Sequence, residues 1–322
     1  MNRRFALLQA VLSLIALGAV VWWASSQEPP EFPTSAESLG WLAAALLLYA
    51  AATLARAERW HSILQLTGVQ ASRADCYGLT TVGYMGNNVL PARAGEALRV
   101  VLLDQRVNAG KRKLFGTIVA ERVLDVIVLS LMLVIIAYAI LPGDVLPTDR
   151  PVLITGIGLA LLAVGAAVFA VLRRRGQLTR FRDMIRPLAD APRALASRAG
   201  VPLLAGSVVI WVCEGAVYLA VARAVELDIS ATGALYLVAL TNFAAALPAA
   251  PGSIGTFDAA VAFGAKALGA SGSIAVTYLL LLRFVLYVPI TIVGLGVLVA
   301  RYGGWARMRA TMRVQNTQAS GA

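Results

Sequence analysis

Several charged side chains stand where an apolar segment should not tolerate them. Arg283 lies within Leu279-Leu280-Leu281-Leu282-Arg283-Phe284-Val285-Leu286-Tyr287, and Glu214 within Trp211-Val212-Cys213-Glu214-Gly215. Glu121-Arg122-Val123-Leu124-Asp125 sits near the start of the longest apolar run. A charge at the centre of a membrane helix costs about 2.5–3.5 kcal/mol on insertion scales, so each needs a partner or a task. Guanidinium groups suit phosphate, and carboxylates suit cationic or hydroxyl atoms. Arg283 and Glu214 either pair with each other or line a polar cavity that receives a head group. Glu121 and Asp125 share a helix face at i,i+4, with Arg122 turned about 100° away. This trio is either interfacial or internal. Leu114 to Ala120 precede it and would already occupy the interface.

The elements that position these charges carry two matching breaks. Leu90-Pro91-Ala92-Arg93-Ala94-Gly95 and Leu247-Pro248-Ala249-Ala250-Pro251-Gly252 share the pattern Leu-Pro-Ala-x-x-Gly, and Pro91 and Pro248 lie 157 positions apart. Asn87 and Asn88 precede the first, and Asn242 the second. Each proline removes a donor and disfavours continued helix, while Gly95, Gly252 and Gly255 permit positive φ and close backbone approach. Backbone leaves a helix inside a bilayer only where protein or a watery cavity receives its polar groups. Plain kinks in ordinary spans are the simpler alternative. The amides that open the run at Thr256-Phe257-Asp258 could meet an anion. Glu96 and Arg99 open the equivalent run after the first break, where Arg93, Glu96 and Arg99 read either as site residues or as a solvated loop.

Composition sets the class. The chain is 59% hydrophobic and 14% charged with mean hydropathy +0.75, and its apolar runs are long enough to cross the roughly 30 Å hydrocarbon core. Full spans are expected near 5–24, 39–56, 114–141, 151–172, 201–224 and 274–300. The first is read as an uncleaved helix rather than a signal peptide. The net charge of +11 is mostly arginine. Basic residues crowd the N-terminus, 57–75, 93–113, 173–200 and the tail, while 25–38 and 142–150 are poor in them. That alternation obeys the positive-inside rule with both termini cytoplasmic. It does so only if 76–113 and 233–270 each enter and leave on one side. Three spans separate these segments, so the second unit is inverted relative to the first, a recurring transporter plan. Arg122 follows Pro91 by 31 residues and Arg283 follows Pro248 by 35.

The expected fold is an all-α polytopic membrane protein, with about six full spans and two inverted re-entrant broken-helix segments. One integral domain covers 1–310, with repeat units near 76–141 and 233–300, and a disordered cytoplasmic tail covers 311–322. Arg56, Arg59 and Trp60 read as an anchor at a membrane edge. The arginines flank spans, so anionic lipid rather than nucleic acid is the expected counter-charge, with 173–200 lying along the interface. His61 is the sole histidine, which excludes His-x-x-x-His metal sites. Cys76 and Cys213 suggest neither a disulfide framework nor a metal site. Gly269-Ala270-Ser271-Gly272 resembles a serine-protease motif without a base on its side of the membrane. Asn108-Ala109-Gly110-Lys111-Arg112 lacks the first glycine and the Ser/Thr of a phosphate loop. No cofactor and no enzymatic activity are expected.

Arg56-Ala57-Glu58-Arg59-Trp60, Asn87-Asn88-Val89-Leu90-Pro91-Ala92-Arg93-Ala94-Gly95-Glu96-Ala97-Leu98-Arg99, Glu121-Arg122-Val123-Leu124-Asp125 and Pro251-Gly252-Ser253-Ile254-Gly255 occur in that order. Through them the chain resembles the transmembrane domain of lysylphosphatidylglycerol synthase, a flippase-like membrane family of bacteria and archaea. The resemblance implies re-entrant helices, an inner-membrane location and a role in handling lipids. The chain ends shortly after its last span, so aminoacyl transfer by this polypeptide is not expected. The family pattern usually carries glutamate after the second break, where this chain has Asp258.

The resulting expectation is translocation of a phospholipid or lipid-linked head group. The site is drawn from Asn87, Arg93, Glu96, Arg99, Glu121, Arg122, Asp125, Glu214, Asp258 and Arg283, around breaks at Pro91, Gly95, Pro248, Pro251, Gly252 and Gly255. Arg122 and Arg283 would hold phosphate, and Glu121, Glu214 and Asp258 the cationic or hydroxyl atoms. One alternative is a non-transporting subunit that docks a glycosyltransferase or lipid-modifying enzyme through 173–200. A weaker one is a transferase acting on polyprenyl-linked sugars through Glu121 and Asp125. Partners are membrane lipids, either anionic phospholipid or polyprenyl-linked lipid, and self-association stays open.

Overall fold

The computed structural model describes residues 3–90, 94–136, 198–246 and 250–303. The expected span 151–172, loop 142–150, most of the basic stretch 173–200 and the tail 311–322 lie outside the described residues. So do Pro91, Arg93 and Pro248. Among the described residues every regular element is helical: α1 (Arg3–Ser25), α2 (Ala36–Leu66), α3 (Arg73–Val89), α4 (Gly95–Val107), α5 (Lys111–Ile135), α6 (Gly200–Ala224), α7 (Ala231–Ala246), α8 (Thr256–Ala267) and α9 (Gly272–Tyr302). A 3₁₀ turn, Pro251–Ser253, precedes α8.

Local chemistry sets the helix ends. The hydroxyls of Ser35, Ser72 and Ser271 accept from the amides of Ser38, Asp75 and Ile274, which caps the starts of α2, α3 and α9. Gly303 ends α9 in the left-handed region at φ 78°. α2, α6 and α9 are long and apolar enough to cross a membrane, which makes this a multi-pass membrane protein. Large apolar side chains such as Leu47, Phe263 and Ile292 stay exposed, as suits a lipid-facing surface.

α2 departs from its expected range of 39–56 by continuing to Leu66. Arg56, Arg59, Trp60 and His61 are all buried on it. The edge-anchor reading is therefore corrected: packing against α6 and α3 encloses these residues, and α2 with α6 forms the most extensive helix pair.

Both broken segments fold as helical hairpins. α4 returns along α3, so that Gly95 lies against Gly83, Gly86 and Asn87, while Arg106 near the end of α4 reaches Asp75 near the start of α3 at 3.0 Å. α8 returns along α7 in the same way: Gly264 packs on Leu237 and Leu240, and Leu268 on Gly233. α9 connects the two systems. It begins directly after α8, and at its far end Tyr302 donates to Asp75 at 3.2 Å. Its 31 residues span about 46 Å at 1.5 Å per residue. Near its middle, Asn88 from the tip of the first hairpin donates to Thr291 at 2.9 Å. Gly252, from the tip of the second, lies beside the Asn88 carbonyl and the Tyr287 ring. The hairpins thus approach from opposite ends of α9 and meet at their tips, each within its own apolar core.

The break glycines divide their work. Gly252 and Gly255 adopt φ of 68° and 90°, which side-chain-bearing residues rarely take. Gly95 does not, so positive φ is not its reason for being glycine. Its reason is space, because a Cβ there would collide with the Gly83 carbonyl oxygen and the Asn87 amide. Gly95→Ala is expected to destabilise the fold by about 1–3 kcal/mol through overpacking, read as earlier thermal unfolding in detergent.

Candidate functional site

Charge concentrates between the end of α2, the start of α4 and the middle of α5. Arg59 donates to Asp125 at 2.8 Å and to the Ser207 hydroxyl at 2.7 Å, with Glu121 at 3.9 Å. Arg99 stacks 4.0 Å over Trp60, whose indole donates to Thr117. Arg99 Nη2 lies 3.0 Å from Glu121 Oε2. That pair is off the angle for a hydrogen bond, since neither atom has a hydrogen-bond partner. Arg122 lies 3.3 Å from both Glu96 and Asp125. Arg59, Arg99, Glu121 and Asp125 are buried, whereas the Arg122 side chain keeps 40% of its exposure. Of the α5 trio, Glu121 and Asp125 are thus enclosed by the neighbouring helices, with Arg122 at the partly exposed edge. Buried polar atoms are normally satisfied, yet Arg59 Nε, Arg99 Nε and Arg122 Nε are not. The cluster holds unspent donors.

A second pair lies further along α2. Arg56 hydrogen-bonds Glu214 of α6, and its guanidinium lies 5.3 Å over Trp211. Glu214 therefore pairs with Arg56 and not with Arg283.

Arg283 closes on the second break instead. Its Nη2 donates to Asp258 at 2.8 Å, its Nε also pairs with that carboxylate, and its Nη1 donates to the Gly252 carbonyl at 3.1 Å. Asp258 Oδ2 also accepts from the Gly255 amide at 2.8 Å. The helix start expected to be open to an external anion is thus filled by the chain's own carboxylate, a local N-cap arrangement. Arg283 lies 5.1 Å over Phe257 and 4.7 Å over Tyr287.

Where the hairpin tips meet, a cavity of about 110 Å³ opens. Its lining includes Asn87 and Asn88 of the first hairpin, Asn242 and Ser253 of the second, Glu214 of α6 and Tyr49 of α2. Tyr84 and Tyr287 also line it. At roughly 30 Å³ per water it holds about four waters or one small polar group.

The sequence profile of the lysylphosphatidylglycerol synthase transmembrane region matches residues 8–294. The chain belongs to that family. Among curated relatives, it is 28% identical over 125 residues to a UPF0104 membrane protein of Pyrococcus horikoshii, covering 38% of this chain and 37% of that protein. It is 24% identical over 264 residues to the glycosyltransferase AglD of Haloferax volcanii, covering 68% and 42%. It is 31% identical over 102 residues to a UPF0104 membrane protein of Methanocaldococcus jannaschii, covering 31% and 30%. These matches span less than half the length of each relative.

Within this family member the structure gathers the expected residues into three places. Glu96, Arg99, Glu121, Arg122 and Asp125 form the first cluster, Asp258 and Arg283 clasp the second break, and Asn87 and Glu214 line the cavity between. Arg56, Arg59, Tyr49, Tyr84 and Asn88 were missed as site residues. The signal for the arginines was their position in a helix that had not ended. The tyrosines offered none beyond a phenol in an apolar run. Among the described residues no group of His, Cys, Asp or Glu is placed to hold a metal ion.

Proposed function

We propose that this protein moves a phospholipid or lipid-linked head group across the bilayer. The meeting of two hairpin tips at a polar cavity midway along α9 carries the reading. On this view the hairpins are inverted re-entrant units, each entering from its own face. The cavity is where a head group changes sides while its acyl chains stay in lipid. The arginine–carboxylate pairs around it give polar surface at depth without net charge, which lowers the cost of a hydrated path. No covalent step is needed.

The test is transbilayer movement of fluorescent phospholipids in proteoliposomes, read by quenching of the outer leaflet. Protein-containing vesicles are expected to expose inner-leaflet label faster than empty ones. Arg122→Gln, at the partly exposed edge of the cluster, is expected to slow this about tenfold, the value of one charged hydrogen bond of about 1.5 kcal/mol. Rates equal to protein-free vesicles would remove the proposal.

A second reading is supported by the similarity to a glycosyltransferase: the chain is an accessory subunit that docks such an enzyme. Co-purification of a glycosyltransferase, together with no lipid movement in vesicles, would favour it.

A further inference from the structure

We infer that a lateral groove between α2 and α6 holds one ester-linked acyl chain of a bilayer phospholipid, with the ester carbonyl on the guanidinium of Arg59. The groove shares no lining residue with the cavity between the hairpin tips. The inference concerns a resident lipid and does not depend on lipid crossing the membrane.

The groove encloses about 650 Å³, within the roughly 300–1,000 Å³ of sites that take one small ligand. Its wall is graded along the two helices. Stepping back along α2 from Arg59 to Arg56 moves the contact forward along α6 from Ser207 to Glu214, so the helices run antiparallel. The end of α2 at Leu66 and the start of α6 at Gly200 therefore lie at one membrane face. Ser62 and Gln65 line the groove towards that face, and Ala55, Val209 and Ile210 line its deep end. Arg59 stands between them. The 31 residues of α2 reach about 46 Å, about 16 Å more than the hydrocarbon core. Centred on that core, α2 projects about 8 Å at each end, and Arg59 lies about 10 Å from Leu66. That depth is the boundary where head groups give way to chains, which is where glycerol esters sit.

The chemistry of Arg59 selects the occupant. Its Nη1 is spent on Asp125 at 2.8 Å and Ser207 at 2.7 Å. Its Nη2 stands 3.9 Å from Glu121, beyond hydrogen-bond distance, and its Nε has no hydrogen-bond partner among the described residues. These two nitrogens form one edge of the planar guanidinium, so a single carbonyl oxygen can take both N–H groups. The Arg59 side chain is 3% exposed, and a donor left unmet at that burial is costly. A phosphate suits the edge less well. Asp125 already balances Arg59, and Glu58, one residue before it, holds its carboxylate at the same depth on Arg73 and Tyr77. A neutral ester supplies the acceptor without bringing another negative charge into the groove. The apolar deep end then receives its chain.

Lipid binding by the delipidated protein in detergent tests this, read by native mass spectrometry and by the gain in melting temperature. The probes are dipalmitoyl phosphatidylglycerol and its dihexadecyl ether analogue, which keeps the head group and chain length but lacks the carbonyls. The diester is expected to bind about tenfold more tightly, the value of one hydrogen bond to a charged group. Gly206 lines the groove, and a Cβ there would meet no atom within 4 Å. Gly206→Leu thus fills the groove without a clash. It is expected to abolish the preference for the diester while leaving the lipid-free protein at least as stable. Gly296→Leu on α9 is equally open and lies outside the groove, so it should keep the full preference. Equal binding of diester and diether by the parent, or a preference that persists in Gly206→Leu, would overturn the inference. So would a parent dimer that Gly206→Leu dissolves with the lipid preference unchanged, since a second copy would then fill the groove.

Discussion

Arg59→Leu is expected to destabilise the folded protein by about 3–5 kcal/mol, because it strands negative charge inside the bundle. The Arg59 side chain is 3% exposed and joins Asp125, Glu121 and Ser207 from two other helices. Leucine fills much of the space, so the loss reports charge rather than a cavity. Arg99 and Arg122 remain, but each already serves its own carboxylate. Thermal unfolding in detergent measures the effect. Arg73→Leu is the control: its pair with Glu58 is exposed, and its removal should cost below about 1 kcal/mol. Adding Asp125→Asn to Arg59→Leu restores the balance of charge and should recover a large part of the loss. A fall no larger than that of Arg73→Leu would mean that water already screens the cluster.

The same residues show what could be read in advance. The two breaks were legible because proline and glycine within a long apolar run interrupt a helix. α4 packs back along α3 and α8 along α7 on either side of them. Pairing was illegible, because it depends on where distant helices cross. Arg56 meets Glu214 across 158 positions and Arg59 meets Asp125 across 66. Nothing local to Glu214 distinguishes Arg56 from Arg283 as its partner. The end of α2 was misjudged for a related reason. Hydropathy falls where charge begins, and a helix that buries its charges against neighbours gives the same profile as one that has left the membrane. Gly95 was marked correctly for the break but for the wrong physical reason, since crowding by α3 cannot be read from α4.

Arg283→Ala should cost about as much as Arg59→Leu, about 3–5 kcal/mol, and its mechanism decides what the second break is. Arg283 supplies donors to both Asp258 oxygens and to the Gly252 carbonyl, within a turn whose glycines hold φ of 68° and 90°. Without the guanidinium, Asp258 keeps only the Gly255 amide, and a carbonyl in the break loses its donor. The loop between α7 and α8 should then open, read as faster hydrogen exchange at 250–256 with little change in α2. Arg283→Lys keeps the charge but not the planar fork, so it should recover only part of the stability. Asp258→Asn added to Arg283→Ala removes the stranded carboxylate and should also restore part of it. A phosphate-binding arginine would behave differently. Its loss would weaken lipid binding while leaving both the melting temperature and the exchange at the break unchanged. Because its donors are directed at the chain's own carboxylate and carbonyl, the geometry makes Arg283 the clasp of the hairpin tip.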